Sequence, residues 1–252
     1  MGSMGELAEV NGFIASSRAV GDEGTLAGLV GAISRDMGFD YFSLVQFDLA
    51  RDPGGRGLIS ISSYPSSWLE EVQCERLYEA DPAYLASCRT SVGFRWADIG
   101  SIIPLGARQR EILRRSKRAG LGDGFTVPAH IPGESSGLAT FVVRTGRSLP
   151  ERRLSMAQLV GAFGYEAARR LRRIGQAAAT PTPLTPRQVD CVLLIARGKS
   201  DWEISRILGI AEDTVTEHVD GARRRYGVAR RSQLVVRALY DGWFSLGEAV
   251  GR

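Results

Sequence analysis

Acidic residues and arginines are concentrated in one short stretch of the chain, Leu208–Arg231, where four carboxylates are followed by five arginines. Apolar residues recur in this stretch at helical spacing, which predicts an amphipathic helix that buries Val215, Val219, Ala222 and Tyr226. The opposite face of the helix is centred on Asp213, Glu217, Asp220 and Arg224, with Thr216 and Gly221 at its edges. A helix of this kind has the width of the DNA major groove.

The arginines and the carboxylates suit different contacts with DNA. Guanidinium groups bind phosphate oxygens, the role that we expect for Arg223, Arg224, Arg225, Arg230 and Arg231. DNA phosphates would repel Glu217 and Asp220, unless these accept hydrogen bonds from cytosine amino groups. In the alternative, which we favour, Asp220 pairs with Arg223 or Arg224 one turn away, a contact that contributes roughly 0.2–0.5 kcal/mol.

Start and stop signals place two more helices directly before this one. Ser200 and Glu203 form a capping box, and Gly209 ends the helix that they open. Thr185 and Gln188 form an earlier capping box of the same kind. Short helices joined by a glycine turn are typical of a helix-turn-helix, whose second helix enters the major groove.

The first part of the chain has the pattern of strands and longer helices. β-Branched and aromatic residues favour strands at Phe39–Phe47, Gly57–Ser63 and Gly137–Arg144. Apolar residues at three- and four-residue spacing predict helices at Leu26–Met37 and Pro150–Ile174. We therefore expect a sheet flanked by helices.

Composition indicates two domains and no membrane span. The segment GQAAATPTPLTP, residues 175–186, holds three of the ten prolines and indicates a linker. The expected boundaries are 1–174, a linker at 175–183, and 184–252. No apolar run approaches the roughly 20 residues of a membrane span, and the N-terminus lacks signal-peptide features, so we expect a cytoplasmic protein. A net charge of +4 permits an anionic partner without requiring one.

Neither catalysis nor a bound metal or cofactor is predicted. The three cysteines are odd in number and widely spaced, so we expect buried, unreactive thiols rather than disulfides or a zinc site. The two histidines lie far apart, without clustered cysteines or carboxylates around them. Gly198-Lys199-Ser200 lacks the earlier glycine of a phosphate-binding loop, and GLGDG at 120–124 is interpreted as a turn.

The segment Leu184–Leu246 contains the motifs LTPRQ, ARGKS, WEIS, LGIAEDTVTEHV and GVARRSQ, and it resembles the C-terminal domain of LuxR-type transcription regulators. The resemblance implies an all-α helix-turn-helix domain that binds DNA. The residues expected at the DNA are Lys199, Thr216, Glu217, Asp220, Arg223, Arg224, Arg225, Arg230 and Arg231.

Three residues depart from the pattern of that family. Gln188 keeps the capping role of the usual Glu but loses its charge, and Val192 replaces a Leu and trims the core slightly. Ala211 stands where a Ser usually caps the recognition helix, a change that typically costs about 1 kcal/mol.

The segment Ser63–Trp96 resembles the autoinducer-binding domain of acyl-homoserine-lactone receptors. The residues that match its pocket in type are Tyr64, Trp68, Asp81, Pro82 and Trp96, with thirteen positions from Trp68 to Asp81 and fifteen from Asp81 to Trp96. GFTVP at 124–128 and GLATF at 137–141 match its later strands and place Thr140 where a Ser or Thr is common. The resemblance implies an α+β fold, an α-β-α sandwich with a central antiparallel sheet.

The resemblance also implies how an acyl-homoserine lactone would be held, since each of its polar groups needs a partner once buried. The Trp68 indole would donate to the lactone carbonyl, and the Asp81 carboxylate would accept from the amide N–H. Tyr64 and Thr140 would donate to the acyl carbonyl. Trp96 would pack against the lactone ring.

The expected lining of the acyl chain consists of Ser43, Val45 and Phe47, which alternate along one strand face, together with Tyr84. Val72 departs from the family, because most relatives carry an aromatic residue one helical turn after the Trp. The cavity is therefore expected to differ in shape, which leaves open a ligand other than a standard straight-chain lactone, such as an aryl one.

Together the two resemblances predict a quorum-sensing transcriptional regulator that binds a homoserine lactone and, as a homodimer, reads an inverted repeat in DNA. The expected dimer element is the helix that ends in AARRLRR, residues 167–173, with Leu154, Leu159 and Phe163 earlier on it. RNA polymerase is a further expected partner if the protein activates transcription. The alternative is a LuxR-type regulator with a degenerate pocket, controlled by a protein partner or a non-lactone ligand.

Overall fold

The computed structural model describes residues 2–46, 59–131, 136–175 and 183–251. Contacts between Cα atoms divide the chain into two compact units. The described part of the first ends at Gly175, and the helices of the second follow Pro183. The predicted linker, 175–183, lies mostly outside the described residues. Within the described ranges, no helix is both long enough and apolar enough to span a membrane.

The first unit is built on a five-stranded sheet with the strand order β2-β1-β5-β4-β3, in which every neighbouring pair is antiparallel. The strands are β1 (Tyr41–Gln46), β2 (Ile59–Ser62), β3 (Phe94–Arg95), β4 (Leu121–Ala129) and β5 (Gly137–Arg144). Ser43 lies opposite Thr140, and Thr140 lies opposite Thr126. Directly opposed residues point to the same side of a sheet, so these three hydroxyls share one face.

Helices cover both faces of this sheet. The helices of the first unit are α1 (Gly2–Ala19), α2 (Glu23–Asp36), α3 (Ser66–Cys74), α4 (Pro82–Ser87), α5 (Ile99–Ile102), α6 (Ala107–Arg118) and α7 (Leu154–Gly175). Gly161 of α7 packs so closely on β4 that an added Cβ would lie 2.9 Å from the Val127 side chain. The face with the three hydroxyls is covered by α3 and α6 instead. The predicted α-β-α sandwich with an antiparallel sheet is confirmed.

The three predicted strands are observed, the second of them at Ile59–Ser62, whereas the start of β4 was missed. The strand at Gly137–Arg144 is confirmed in full, and the first predicted strand is observed at Tyr41–Gln46. The interpretation of GLGDG as a turn is wrong beyond its first residue. Gly120, with φ of +97°, makes the turn, but β4 already begins at Leu121. Gly122 lies so close to the backbone of β5 that a Cβ would be 2.7 Å from the Arg144 carbonyl oxygen, which explains a glycine within a strand.

The expectation of three buried thiols is wrong for two of them. Cys191 is buried, whereas Cys74 and Cys88 are exposed. Cys74 is the last residue of α3, and Cys88 is the residue that follows α4. Both lie where a short helix ends at the surface, a position that cysteine spacing alone does not indicate.

The described residues of the second unit form helices and no strand. The helices are α8 (Pro186–Ala196), α9 (Asp201–Leu208), α10 (Glu212–Tyr226), α11 (Arg231–Tyr240) and α12 (Leu246–Ala249). Both predicted capping boxes are present, at Thr185 with Gln188 and at Ser200 with Glu203. Gly209 ends α9 in the left-handed conformation with φ of +66°, as its position in the sequence predicts. The helix-turn-helix prediction is therefore confirmed.

The C-terminal segment belongs to the core of this second unit. Phe244 and Ala249 are 5% and 4% exposed and pack in the same cluster as Val192 of α8 and Leu234 of α11. The Arg197 Nε donates to the carbonyl oxygen of Glu248 over 2.9 Å. The segment after α11 thus completes the helical core.

Candidate functional site

Aromatic residues gather over the sheet face that carries the three hydroxyls. Trp68 of α3 is 5% exposed and lies in one apolar cluster with Tyr64, Val72, Trp96 and Val142. In the described residues, no hydrogen bond joins the indole N–H of Trp68 to another group. The structure therefore brings four of the predicted pocket residues together and leaves one strong donor available among them.

Asp81 supplies a carboxylate beside this cluster. It is the N-cap of α4, and its Oδ1 accepts hydrogen bonds from the backbone N–H groups of Ala83 at 2.7 Å and Tyr84 at 3.2 Å. Burial raises the pKa of Asp81, although these two N–H groups act in the opposite direction. The second carboxylate oxygen has no partner in the described residues, so it is available to accept from a ligand.

The pKa of the Tyr64 phenol is affected by that carboxylate. Burial, and secondarily the negative charge of Asp81, raise the pKa of the Tyr64 phenol. The phenol therefore stays protonated at neutral pH and can donate a hydrogen bond. Its ring also packs edge-on against Tyr41, with 6.4 Å between the ring centroids.

Trp96 reaches the hydroxyls of the sheet. Its indole Nε1 donates to Thr126 Oγ1 over 3.0 Å, and Thr126 Oγ1 lies 3.1 Å from Thr140 Oγ1. Its ring packs against Gly124, where an added Cβ would be 2.7 Å from the nearest ring atom. Sequence reasoning assigned no role to Thr126. Alternation along GFTVP puts it on the face of Gly124, but its partners follow only from the strand register.

The residues expected along the acyl chain differ in burial and in the element that carries them. Ser43 is buried on β1 opposite Thr140, and Val45 is half-buried two positions further on the same strand. Tyr84 is half-buried on α4, beside Asp81. Phe47 lies outside the described residues, so its predicted role stays a prediction.

An ion-pair network of three residues holds α3 against α6 beside the site. Arg115 of α6 binds Glu71 of α3, and its Nη1 lies 2.7 Å from a carboxylate oxygen of Glu75, the residue that follows α3. Hydrogen bonds to Glu75 and Glu71 raise the pKa of Arg115. Because α3 also carries Trp68 and Val72, this clamp holds two pocket residues against the sheet.

The recognition helix of the second unit buries the side that its periodicity predicts. Val215, Val219 and Ala222 of α10 are at most 4% exposed, and Tyr226 is half-buried. On the opposite side the exposed residues are Asp213, Thr216, Glu217 and Arg224, and the half-buried ones are Asp220 and Gly221. This polar side faces away from the helical core, as a groove-reading surface must.

Several predicted DNA contacts also have partners within the protein. Asp220 pairs with Arg223 at 2.9 Å, which supports internal charge pairing over base reading for this carboxylate. The other internal partners are Pro183 O for Arg225, Asp201 for Arg231 and Glu203 for Lys199. Arg224 and Arg230 are exposed and have no side-chain partner in the described part of the chain. These two arginines are therefore the ones most readily available for phosphates.

The first turn of α10 has no side-chain cap. Ala211 has φ of −67° and ψ of 151° at the N-cap, angles that a capping serine adopts, and no side chain binds the first N–H groups. The Ala211→Ser variant is expected to stabilise the helical unit by about 1 kcal/mol, or roughly 4–8 °C in Tm. Calorimetry of the full chain checks this, with Ala229→Ser, an exposed site outside any helix, as control. An unchanged Tm for both variants would show that this turn gains nothing from a cap.

Family models match both units of the chain. The model described as "Autoinducer binding domain" matches residues 22–171, and the model described as "Bacterial regulatory proteins, luxR family" matches residues 182–238. The chain belongs to the LuxR family. Members of the LuxR family are quorum-sensing transcriptional regulators and not enzymes, and this LuxR-family chain carries both the autoinducer-binding and the DNA-binding domain.

Relatives and solved structures agree with this LuxR assignment. A putative HTH-type regulator from Sinorhizobium fredii, y4qH, is 28% identical over 187 residues, which are 74% of this chain and 57% of that protein. The Escherichia coli SdiA crystal structure has a TM-score of 0.73 at 18% identity, covering 94% of this chain and 98% of SdiA. CepR2 from Burkholderia cenocepacia has a TM-score of 0.52 at 13% identity, covering 68% of this chain and 98% of CepR2. The two structures show a shared fold.

Proposed function

We propose that the autoinducer of this protein is an N-acyl-homoserine lactone held by Tyr64, Trp68, Asp81, Trp96 and Thr140. The observation that carries the proposal is that one apolar cluster has both a donor and an acceptor beside it. The donor is the indole N–H of Trp68, and the acceptor is the half-buried carboxylate of Asp81. A lactone offers a carbonyl to the first and an amide N–H to the second. CepR2 is described as dependent on such a lactone, which supports the same ligand class here.

Each remaining polar group of the ligand finds a matching group on the sheet side of the site. Tyr64 stays protonated and donates to the acyl carbonyl together with Thr140. The Trp96 indole N–H is already bound to Thr126, so Trp96 contributes its ring face to the lactone ring. Ser43, Val45, Val72 and Tyr84 line the acyl chain.

A ligand held this way stabilises the protein that binds it. At a hundredfold excess over Kd a lactone is expected to add about 2.7 kcal/mol, and each kcal/mol corresponds to roughly 2–4 °C in Tm for a unit of this size. The test is the Tm of the purified protein with a panel of short, long, branched and aryl homoserine lactones. A large increase with one class supports the proposal and identifies the ligand.

The second candidate is a regulator that responds to a protein partner or to a ligand without a lactone. Val72 supports it, because this half-buried valine is smaller than the aromatic residue that the resemblance leads us to expect at its position. SdiA is described in complex with octanoyl-rac-glycerol, which supports a ligand without a lactone here. No increase in Tm with any lactone, from a protein that is folded and binds DNA, would favour this candidate.

On DNA, the protein acts as a homodimer that reads an inverted repeat, since a two-fold protein matches a two-fold site. Leu159 of α7 is 41% exposed, which supports α7 as the dimer element, together with Leu154 and Phe163. Two of its arginines already have partners, because Arg169 pairs with Glu166 and Arg170 donates to the carbonyl oxygens of Ser17 and Val20. A DNA target places the protein in the bacterial cytoplasm, and RNA polymerase is a partner if the protein activates.

A further inference from the structure

Three side chains form a continuous hydrogen-bonded chain beneath the proposed pocket. The Trp96 indole N–H is bound to Thr126 Oγ1 at 3.0 Å, and Thr126 Oγ1 to Thr140 Oγ1 at 3.1 Å. Thr126 is 0% exposed and Thr140 is 2% exposed. Because Thr126 has no accessible surface, it acts on anything outside the sheet only through its neighbours.

The chemistry of the indole sets the direction of this chain. An indole N–H only donates, so Thr126 Oγ1 accepts from Trp96. Either direction leaves one O–H without an acceptor in the described residues, that of Thr126 if Thr140 donates and that of Thr140 if Thr126 donates. Thr126 is 0% exposed, whereas Thr140 is 2% exposed and has some surface through which a ligand could reach it. The Thr126 hydroxyl therefore donates to Thr140. The Thr140 O–H must then find its acceptor outside these three hydrogen-bonded side chains.

We propose that Thr126 is a positioning residue that holds the Thr140 hydroxyl as a donor aimed at the acyl carbonyl of the ligand. The inference rests on the proposed function. It adds that Thr140 acts as a donor, so the ligand group that faces it must accept a hydrogen bond. Linked hydrogen bonds polarise one another, so the donor at the end of the chain is stronger than an isolated hydroxyl.

The strand register explains why these residues can do this. Thr126 and Thr140 are directly opposed on β4 and β5, and Ser43 lies opposite Thr140 on its other side. No hydrogen bond joins Ser43 Oγ to another described residue, so the chain ends at Thr140. Gly124, two positions before Thr126, lets the Trp96 ring approach the sheet closely enough to reach it.

The test compares two ligands in the full-length protein. The first is the N-acyl-homoserine lactone that most increases the Tm of the wild type, and the second is its N-thioacyl analogue, whose sulfur is a weak acceptor. Thr126→Val is expected to raise the Kd of the acyl lactone roughly tenfold, which corresponds to the loss of one hydrogen bond. The Kd of the thioacyl analogue is expected to rise less than about threefold. Thr126→Ser is expected to restore the wild-type Kd for both ligands.

The matched control removes a buried hydroxyl elsewhere. Ser34 of α2 is 2% exposed and donates to the Val30 carbonyl oxygen over 2.6 Å, so Ser34→Ala is expected to change neither Kd. Equal losses for the acyl and thioacyl ligands in Thr126→Val would overturn the positioning role in favour of a structural one. Binding of neither ligand by the wild type would instead overturn the proposed function itself.

A measurement on the wild type keeps the inference testable where Thr126→Val does not fold. The side-chain ¹H–¹⁵N signal of Trp96, assigned with Trp96→Phe, reports the hydrogen bond at the start of the chain. We expect it to shift further downfield with the acyl lactone than with the thioacyl analogue, because a stronger acceptor at Thr140 polarises the whole chain. Equal shifts with the two ligands would overturn the inference.

Discussion

Replacing Asp81 with asparagine is expected to weaken lactone binding about 100-fold while raising the Tm of the unliganded protein. A hydrogen bond to a charged group contributes roughly 1.5–3 kcal/mol, and the asparagine also leaves a ligand N–H without its acceptor. Asparagine caps helices as well as aspartate does, so α4 keeps its start. Isothermal titration measures the loss of affinity.

The stability gain follows from the sign of the pKa shift. Burial raises the pKa of Asp81 above its ordinary value of 3.8, so the contribution of this group to folding is present below that value and is lost as pH rises through the folded pKa. Near pH 7 the wild type therefore carries a destabilising buried carboxylate, which Asp81→Asn removes. The Tm difference between the two proteins is expected to shrink as pH falls toward about 4.

A second variant separates the two roles of this residue. Asp81→Ala loses the cap as well as the charge, so it is expected to be about 1 kcal/mol less stable than Asp81→Asn while binding lactone equally poorly. If Asp81→Asn binds lactone as tightly as the wild type, Asp81 is not the acceptor of the amide N–H, and the assignment of the pocket is wrong.

Removing the two unpartnered arginines of the helix-turn-helix is expected to weaken DNA binding by about 100-fold or more at low salt. Each charge-assisted contact to a phosphate contributes roughly 1.5–3 kcal/mol, and each lost contact lowers the slope of log K against log salt by about 0.9. Arg224→Ala with Arg230→Ala should therefore reduce the slope by about 1.8. Fluorescence anisotropy at several salt concentrations measures both quantities.

The control for this experiment removes the same charge from the first unit, outside the helix-turn-helix. Arg108 and Arg114 of α6 are exposed, so the corresponding double alanine variant changes the net charge equally and is expected to leave affinity and slope unchanged. Because phosphates carry no sequence information, the loss should be equal for operator and unrelated DNA. A loss confined to one DNA sequence would show that these arginines read bases.

Arg231 is expected to behave differently from this pair. It holds Asp201 of α9 at 2.8 Å, so its removal breaks a contact within the helical unit as well as any contact with phosphate. The sequence places Arg230 and Arg231 side by side and suggests one role for both. Only the structure separates them, because the partner of Arg231 is thirty positions earlier in the chain.

The helix-turn-helix could be predicted almost residue by residue because its signals are local. Thr185, Ser200 and Gly209 each act on backbone groups within about one turn, so their types and spacing are sufficient. The cap missing at Ala211 could be predicted for the same reason. The resemblance singled out Trp68 and Asp81 as pocket residues, an assignment that stays a prediction. The hydrogen-bond partners of Asp81, Ala83 and Tyr84, lie two and three positions later in the chain.

The parts that sequence reasoning missed depend on contacts between distant residues. The start of β4 contains two glycines and an aspartate, which favour a turn locally, and it becomes a strand because β5 pairs with it. The link between Trp96 and Thr126 spans thirty positions and exists only in the observed strand register. The exposure of Cys74 likewise depends on what packs around the end of α3.

The C-terminal segment shows that a shared sequence motif and a folding unit need not coincide. The match to the LuxR family model ends at residue 238, yet Phe244 and Ala249 fill the same apolar core as the matched helices. A fragment cut at the family boundary would expose that core and would be prone to aggregate. The folding unit here is therefore longer than the segment that the family model matches.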